Sequence, residues 1–160
     1  MLIKEIFLSL QGESTHAGLP CTFIRLAGCN LDCHWCDTPG ARASSDGSEL
    51  SIEEITAKVK ELDCSLVEIT GGEPLLQDGV NELISSLLKA GRKVILETNG
   101  TVSLAGIDRR VIKIVDVKCP SSGHGGSFEL KNLDHLTPAD EIKFVIADKN
   151  DYEYAKEFIN

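Results

Sequence analysis

Eight consecutive residues, Cys29-Asn30-Leu31-Asp32-Cys33-His34-Trp35-Cys36, carry three of the chain's six cysteines in the spacing C-x3-C-x2-C. Soft ligands this close either share one inorganic centre or are kept apart by burial. A structural zinc site is four-coordinate and normally draws two close ligand pairs from separate places, so the triplet would need His34 or Asp37 as a fourth ligand. An iron-sulfur cubane can be held by three thiolates of one loop, which leaves one iron open to a small ligand. Buried, unliganded thiols are the third reading. An open coordination position separates a catalytic metal site from a sealed one.

The remaining cysteines, Cys21, Cys64 and Cys119, are scattered and read as small buried hydrophobes. Six cysteines so placed are not a disulfide framework, and a cluster on a loop asks for a reducing compartment, so the expected location is the cytoplasm. The 160 residues are 42% hydrophobic and carry 25 acidic against 16 basic side chains. That length suits one domain with an adequate core. The acidic balance argues against nucleic acid and anionic membrane as partners, because counterion release needs clustered Lys and Arg. Lys4 and Glu5 interrupt the apolar start, so no secretory signal is read there, and no stretch is long enough to span a bilayer. Small molecules are the expected partners.

Short β-rich runs alternate with helical ones. Residues 3–10, 22–26, 66–70, 94–97, 111–117 and 142–146 read as strands. Ser51 and Glu54 form a capping box ahead of Ile52, Ile55, Val59 and Leu62 at helical spacing, and Val80, Leu83, Ile84, Leu87 and Leu88 mark a second helix that stops at Gly91. Residues 152–159 suggest a third. Val- and Ile-rich runs between amphipathic helices imply parallel strands covered by helices, hence an α/β fold, either an open sheet or a partial barrel.

Such folds put their ligands at the carboxyl ends of strands, and there the chain has Thr70-Gly71-Gly72-Glu73-Pro74, Glu97-Thr98-Asn99-Gly100 and 116–123. Glycines at those ends let backbone approach a ligand, although a double glycine is also a plain turn. Arg25 lies ahead of the cysteine loop, on the strand face of Phe23 and Ala27. Its charge needs a partner: an internal carboxylate such as Glu5, Glu13 or Glu68, or a carboxylate on a ligand, which arginine's planar fork can grip at two points.

The cysteine loop with Trp35 before its last thiol, together with Gly71-Gly72-Glu73-Pro74, resembles the signature of the radical S-adenosylmethionine (SAM) family. The resemblance implies a partial, incomplete TIM-like barrel and a 4Fe-4S cluster on Cys29, Cys33 and Cys36, with SAM on its free iron. It implies SAM contacts from Trp35, Gly71, Gly72, Glu73, Asn99, Lys118 and Ser121, and an electron donor such as flavodoxin or ferredoxin. Residues 5–13, 23–31, 36–38, 68–76, 97–100, 116–123 and 140–146 are similar to one branch of that family, whose members contract the ring of a carboxylated pterin and release ammonia, a lyase reaction on the route to queuosine and other deazapurines. That branch implies substrate contacts at Leu10, Gln11, Gly12, Glu13, Arg25 and Thr70, and magnesium on the Thr38 hydroxyl, which read alone is a turn hydroxyl bonding backbone. A homodimer is also expected.

Two departures stand out. Ser14 replaces a usual glycine, and Pro39-Gly40-Ala41 replaces the aromatic residue common after Cys-Asp-Thr. Members of this branch continue through a further strand and a tail that helps close the substrate site, whereas this chain ends at Asn160. The expectation is therefore a single domain over 1–160, shortened at its C-terminus. Two rivals differ in what they require. A radical SAM activating enzyme, which puts a radical on a partner protein, would give no reason for Glu13 and Arg25. A zinc-binding interaction module would need a fourth strong ligand and no Gly71-Gly72-Glu73.

Overall fold

The computed structural model describes residues 1–160. Seven strands form one sheet in the order β3-β1-β2-β4-β5-β6-β7, from β1 Leu2–Leu10, β2 Pro20–Leu26, β3 Ser48–Glu49, β4 Leu66–Gly71, β5 Lys93–Thr98, β6 Ile112–Asp116 and β7 Glu141–Lys143. β1 runs antiparallel to both β2 and β3, while β2, β4, β5, β6 and β7 are parallel in sequence of pairing. The mostly parallel open sheet expected from the Val and Ile runs is present, with an antiparallel hairpin added at one side.

Three helices accompany the sheet: α1 Ile52–Glu61, α2 Val80–Lys89 and α3 Lys149–Ile159. The Ser51–Glu54 capping box forms, with the Glu54 N–H donating to Ser51 Oγ at 3.2 Å and the Ser51 N–H to Glu54 Oε2 at 2.8 Å. Strand side chains alternate between two faces. Ile24, Leu26, Val67, Ile69, Val94, Leu96 and Val115 join Ile55, Val59, Leu83, Ile84 and Leu87 of α1 and α2 in the larger core. Cys21, Phe23, Leu66, Ile95 and Ile114 form a smaller apolar cluster on the other face. Beyond that cluster, towards the strands' carboxyl ends, the same face turns polar.

The last predicted strand is shorter than expected. β7 stops at Lys143, and Val145 and Ile146 of the expected 142–146 run are exposed. The pairing ends there because β6, on which β7 pairs, itself ends at Asp116 opposite Lys143; Asp148 then caps α3, accepting from the Asp151 N–H at 2.9 Å.

One ion pair lies beneath the helical face. Lys113 of β6 shares the parity of Val111 and Val115, and its Nζ sits 2.9 Å from Asp140 Oδ2, with both side chains at most 2% exposed. The Lys113 and Thr137 N–H groups also donate to Asp140, each at 2.7 Å. Burial alone would raise the Asp140 carboxyl, but these hydrogen bonds and the ammonium hold it below the usual range. Asp140→Ala leaves a buried ammonium unpaired and should cost about 3–5 kcal/mol of stability in urea titration. Because the folded-state value is depressed, the wild type should lose this contribution as pH falls through it, and the variant should show a shallower acid dependence.

Candidate functional site

A cavity of about 300 Å³ opens at the carboxyl ends of the parallel strands. After β2 it takes Cys29, Cys33, Trp35, Cys36, Asp37 and Thr38; from β4, Thr70, Gly71 and Gly72; from β5, Glu97, Thr98 and Asn99; from β6 and its loop, Asp116 and Lys118; from β7, Lys143. Arg25 of β2 and Glu13 from the β1–β2 connection complete the wall. Twelve of the residues singled out from sequence meet here: Cys29, Cys33, Cys36, Thr38, Trp35, Gly71, Gly72, Asn99, Lys118, Glu13, Arg25 and Thr70.

The cysteine loop is held from both sides. The Gly28 and Cys29 N–H groups donate to Ala41 and Arg42 carbonyls, and the His34 N–H to the Ser122 carbonyl, at 2.8–3.0 Å. His124 Nε2 lies 2.7 Å from Asp32 Oδ1. The Leu31 N–H and the Asn99 amide approach Cys29 Sγ at 3.5 and 4.0 Å. The glycine pair packs against this loop. Gly71 has φ 137°, and a Cβ there would lie 2.2 Å from the Leu26 carbonyl oxygen; one on Gly72 would lie 2.1 Å from that of Gly28. The close approach read from sequence is made first of all to neighbouring backbone, while both glycines also face the cavity.

Five expected contacts lie outside the wall. Glu73 is fully buried, and its carboxylate accepts from Thr98 Oγ1 at 2.8 Å and from the Asn99 and Leu75 N–H groups at 2.7 and 3.0 Å. It fastens the β4 loop to the end of β5, so its oxygens are already engaged. Ser121 donates its hydroxyl to Asp151 at the start of α3. Leu10 is 64% exposed and pairs with Pro20, at the opposite end of the sheet from the cavity. Gly12 stands in open space. Gln11 is buried: its Nε2 donates to Glu68, and its Oε1 accepts from the Glu13 N–H at 3.1 Å.

Arg25 has one of the internal partners open to it. Its Nε donates to Glu5 Oε1 at 2.9 Å, its guanidinium stands 5.9 Å from the centre of the Phe7 ring, and its side chain is 19% exposed. Sequence reasoning missed the charge cluster around Lys143. Lys143 Nζ is 2.6 Å from both Glu13 Oε2 and Glu97 Oε1 and 3.5 Å from Asp116 Oδ2, which also pairs with Lys118 at 2.8 Å. Burial alone would lower Lys143, but Glu97, Asp116 and Glu13 outweigh it and keep the ammonium firmly charged. Thr70 donates to Glu97 Oε2 at 2.8 Å. The available signal was position: Glu97 and Asp116 are acids at the ends of otherwise apolar runs.

The three thiols suit a cluster better than a single ion. They line one wall of the cavity from a single loop, whereas a structural zinc site normally draws two close ligand pairs from separate places. A cubane can be held by three thiolates of one loop and leaves one iron open. Burial raises the Cys29 and Cys33 thiols, opposed chiefly by the Leu31 N–H at Cys29 and by Lys118 at Cys33, and a bound cationic centre would favour their thiolate forms. Asp37 and Thr38, with the Thr38 hydroxyl donating to Asp37 Oδ1 at 2.9 Å, put hard oxygen donors beside the thiols.

Comparisons place this arrangement. The model of the Radical SAM superfamily matches residues 23–160. The 7-carboxy-7-deazaguanine synthase of Koribacter versatilis is 54% identical over 162 residues, covering 99% of this chain and 70% of that protein. The enzyme of that name from Methanospirillum hungatei is 46% identical over 160 residues, covering 99% and 67%. The crystal structure of QueE from Escherichia coli superimposes with a TM-score of 0.82 at 28% identity, over 99% of this chain and 76% of that one. A structure of TYW1 shares the fold alone, with a TM-score of 0.56 at 17% identity over 84% of this chain and 61% of that one. With the cysteine loop and the glycine pair on one cavity wall, these matches make the chain a member of the radical SAM superfamily and, within it, of the 7-carboxy-7-deazaguanine synthase family.

Proposed function

We propose that this chain converts 6-carboxy-5,6,7,8-tetrahydropterin to 7-carboxy-7-deazaguanine with loss of ammonia, feeding queuosine and related deazapurines, with residues 1–160 acting as one radical SAM domain. The observation that carries the reading is the division of one cavity into a thiol wall and a charged wall. Cys29, Cys33 and Cys36 would hold the 4Fe-4S cluster, and Trp35, Gly71, Gly72, Asn99 and Lys118 surround the space beside it where SAM would lie. Bound together, cluster and SAM would supply the radical chemistry. The protein's task is to orient the pterin and exclude water.

The charged wall suits a carboxylated heterocycle. Glu5 engages only the Nε of Arg25, which leaves the Nη groups to bind a substrate carboxylate. Glu13, Glu97 and the Thr70 hydroxyl provide acceptors for ring N–H groups, and Lys143, 2.6 Å from each carboxylate, holds both in place. Thr38, with Asp37 beside it, offers oxygen to a magnesium ion at the substrate's edge. A one-electron donor such as flavodoxin or ferredoxin completes the turnover, and the chain works in the cytoplasm as a homodimer. No helix is long and apolar enough to cross a membrane.

Anaerobic reconstitution should give brown protein with about four irons per chain that forms the deazaguanine product. Cys29→Ala, Cys33→Ala and Cys36→Ala should each abolish the colour. Cys21→Ala, Cys64→Ala and Cys119→Ala should keep it, since those thiols are buried in packing positions. Stoichiometric zinc in place of iron would refute the cluster.

Arg25→Ala should weaken pterin binding by about 2–5 kcal/mol, and Arg25→Lys should also harm it, with SAM affinity unchanged. A variant that binds pterin normally but melts early would leave Arg25 a partner for Glu5 alone. In the same assay, Thr38→Ala should raise the magnesium concentration needed for half-maximal rate while the iron content stays fixed; superimposable magnesium curves would remove Thr38 from the metal site.

A further inference from the structure

Glu68 has no part in the reading above, yet it is among the least expected residues in the molecule. It is 3% exposed on β4, on the inner face between Leu66 and Thr70, where a carboxyl bears a desolvation cost that an apolar residue would not. Its hydrogen-bond partner is Gln11, whose Nε2 donates to Glu68 Oε2. That bond sets the orientation of the Gln11 amide and turns its Oε1 towards the Glu13 N–H.

Gln11 opens the connection between β1 and β2, which crosses the inner face as a strap. Its ends are closed by Gln11 N–H to the Leu19 carbonyl and Gly18 N–H to the Gln11 carbonyl, at 2.8 and 2.7 Å. Along the strap, Glu13 reaches Lys143, Thr15 Oγ1 donates to Glu141 at 2.7 Å, and His16 Nε2 meets Lys93 Nζ at 2.8 Å. Thr15 and His16 rest on strand residues near the far end of the sheet. Gln11 is the point at which the strap is tied to the middle of the sheet, directly below the charged wall.

We propose that Glu68 is a positioning residue of the substrate pocket: through Gln11 it fixes the strap and so seats Glu13 against Lys143 in the cavity wall. Gln11, read from sequence as a substrate contact, is then the link rather than the contact. The groups facing Glu68 are Glu97 of β5, Lys143 of β7, Glu13 of the strap and Cys21 of β2. Burial, with Glu97 adding to it and Gln11 opposing, pushes the Glu68 carboxyl up to about 8. Below that pH the group is neutral and its oxygen accepts from Gln11; above it, a further negative charge stands beside Glu97 and Glu13, where an anionic substrate must bind.

The test compares Glu68→Leu, Glu68→Gln and Gln11→Ala as reconstituted enzymes, with amide hydrogen exchange measured on the substrate-free proteins. Glu68→Leu and Gln11→Ala should raise the KM for 6-carboxytetrahydropterin by about tenfold or more, leave kcat within about threefold and SAM affinity unchanged, and speed exchange over 11–19 by about tenfold. Glu68→Gln, which keeps a neutral acceptor, should restore both. The wild-type KM should rise as pH passes through about 8, while that of Glu68→Gln stays flat. Wild-type exchange or wild-type KM in Glu68→Leu overturns the proposal, as does a Glu68→Gln variant as impaired as Glu68→Leu. The inference rests on the pterin reading of the cavity. If wild-type enzyme leaves the pterin unreacted, that reading fails, and the exchange rates still decide whether Glu68 holds the strap.

Discussion

The site depends on backbone meeting backbone where β2 and β4 end. Gly71 and Gly72 come so close to Leu26 and Gly28 that a single added methyl group would overlap a carbonyl oxygen. The Gly72 and Glu73 N–H groups donate to the Leu26 and Gly28 carbonyls at 3.0 and 2.8 Å, so the cysteine loop leaves the sheet already fastened to its neighbour. Glu73 extends the fastening to β5 through Thr98 and Asn99, and Asn99 returns to the loop through Asn30 at 3.1 Å. Burial raises the Glu73 carboxyl while three donors oppose it, the pattern of an acid fully occupied by its neighbours. Three strand ends are thereby held at fixed spacing, and side chains on them can be placed to within the tolerance that chemistry needs.

Charge organises the other half of the cavity. Three cations, Arg25, Lys118 and Lys143, face Glu5, Glu13, Glu97 and Asp116 across short distances in a partly enclosed space. Glu5 and Glu13 are about half exposed, so their pairs contribute little, whereas Lys118 and Asp116 are shielded from water and attract each other more strongly. One Asp116 oxygen is buried without a partner, and Glu5 leaves part of the Arg25 fork open. A ligand carrying both a carboxylate and N–H donors can satisfy those groups together, which links the electrostatics of the wall to the substrate class.

The thiols divide by environment. Cys21 and Cys119 are buried among apolar neighbours or beneath α3, and burial pushes them up to about 12 and about 11, so they stay protonated and inert. Cys29, Cys33 and Cys36 are partly open and sit on the cavity wall with Lys118 near two of them. Identical side chains are thus set apart by solvent access and local charge.

Periodicity and spacing determined a great deal here. Five of the seven strands, the capped helix after Ser51, the mostly parallel sheet, the cysteine loop and the gathering of motifs at strand ends were legible, because each depends on residues close in sequence; the two-residue β3 and the early end of β7 were not. Whether a particular side chain faces the cavity depends on register and on partners far along the chain, which no local pattern encodes. Glu73 lies next to the glycine pair but turns into the interior, because Thr98 and Asn99 supply the donors it needs. Gln11 is spent on Glu68 across 57 residues, Arg25 meets Glu5 on the antiparallel strand, and Lys143 collects Glu13, Glu97 and Asp116 from three other segments. The sequence by itself determined which chemistry the chain can hold and at which end of the sheet; only the tertiary structure decided which charges meet there, because ion pairs and buried hydrogen bonds are set by distance in space.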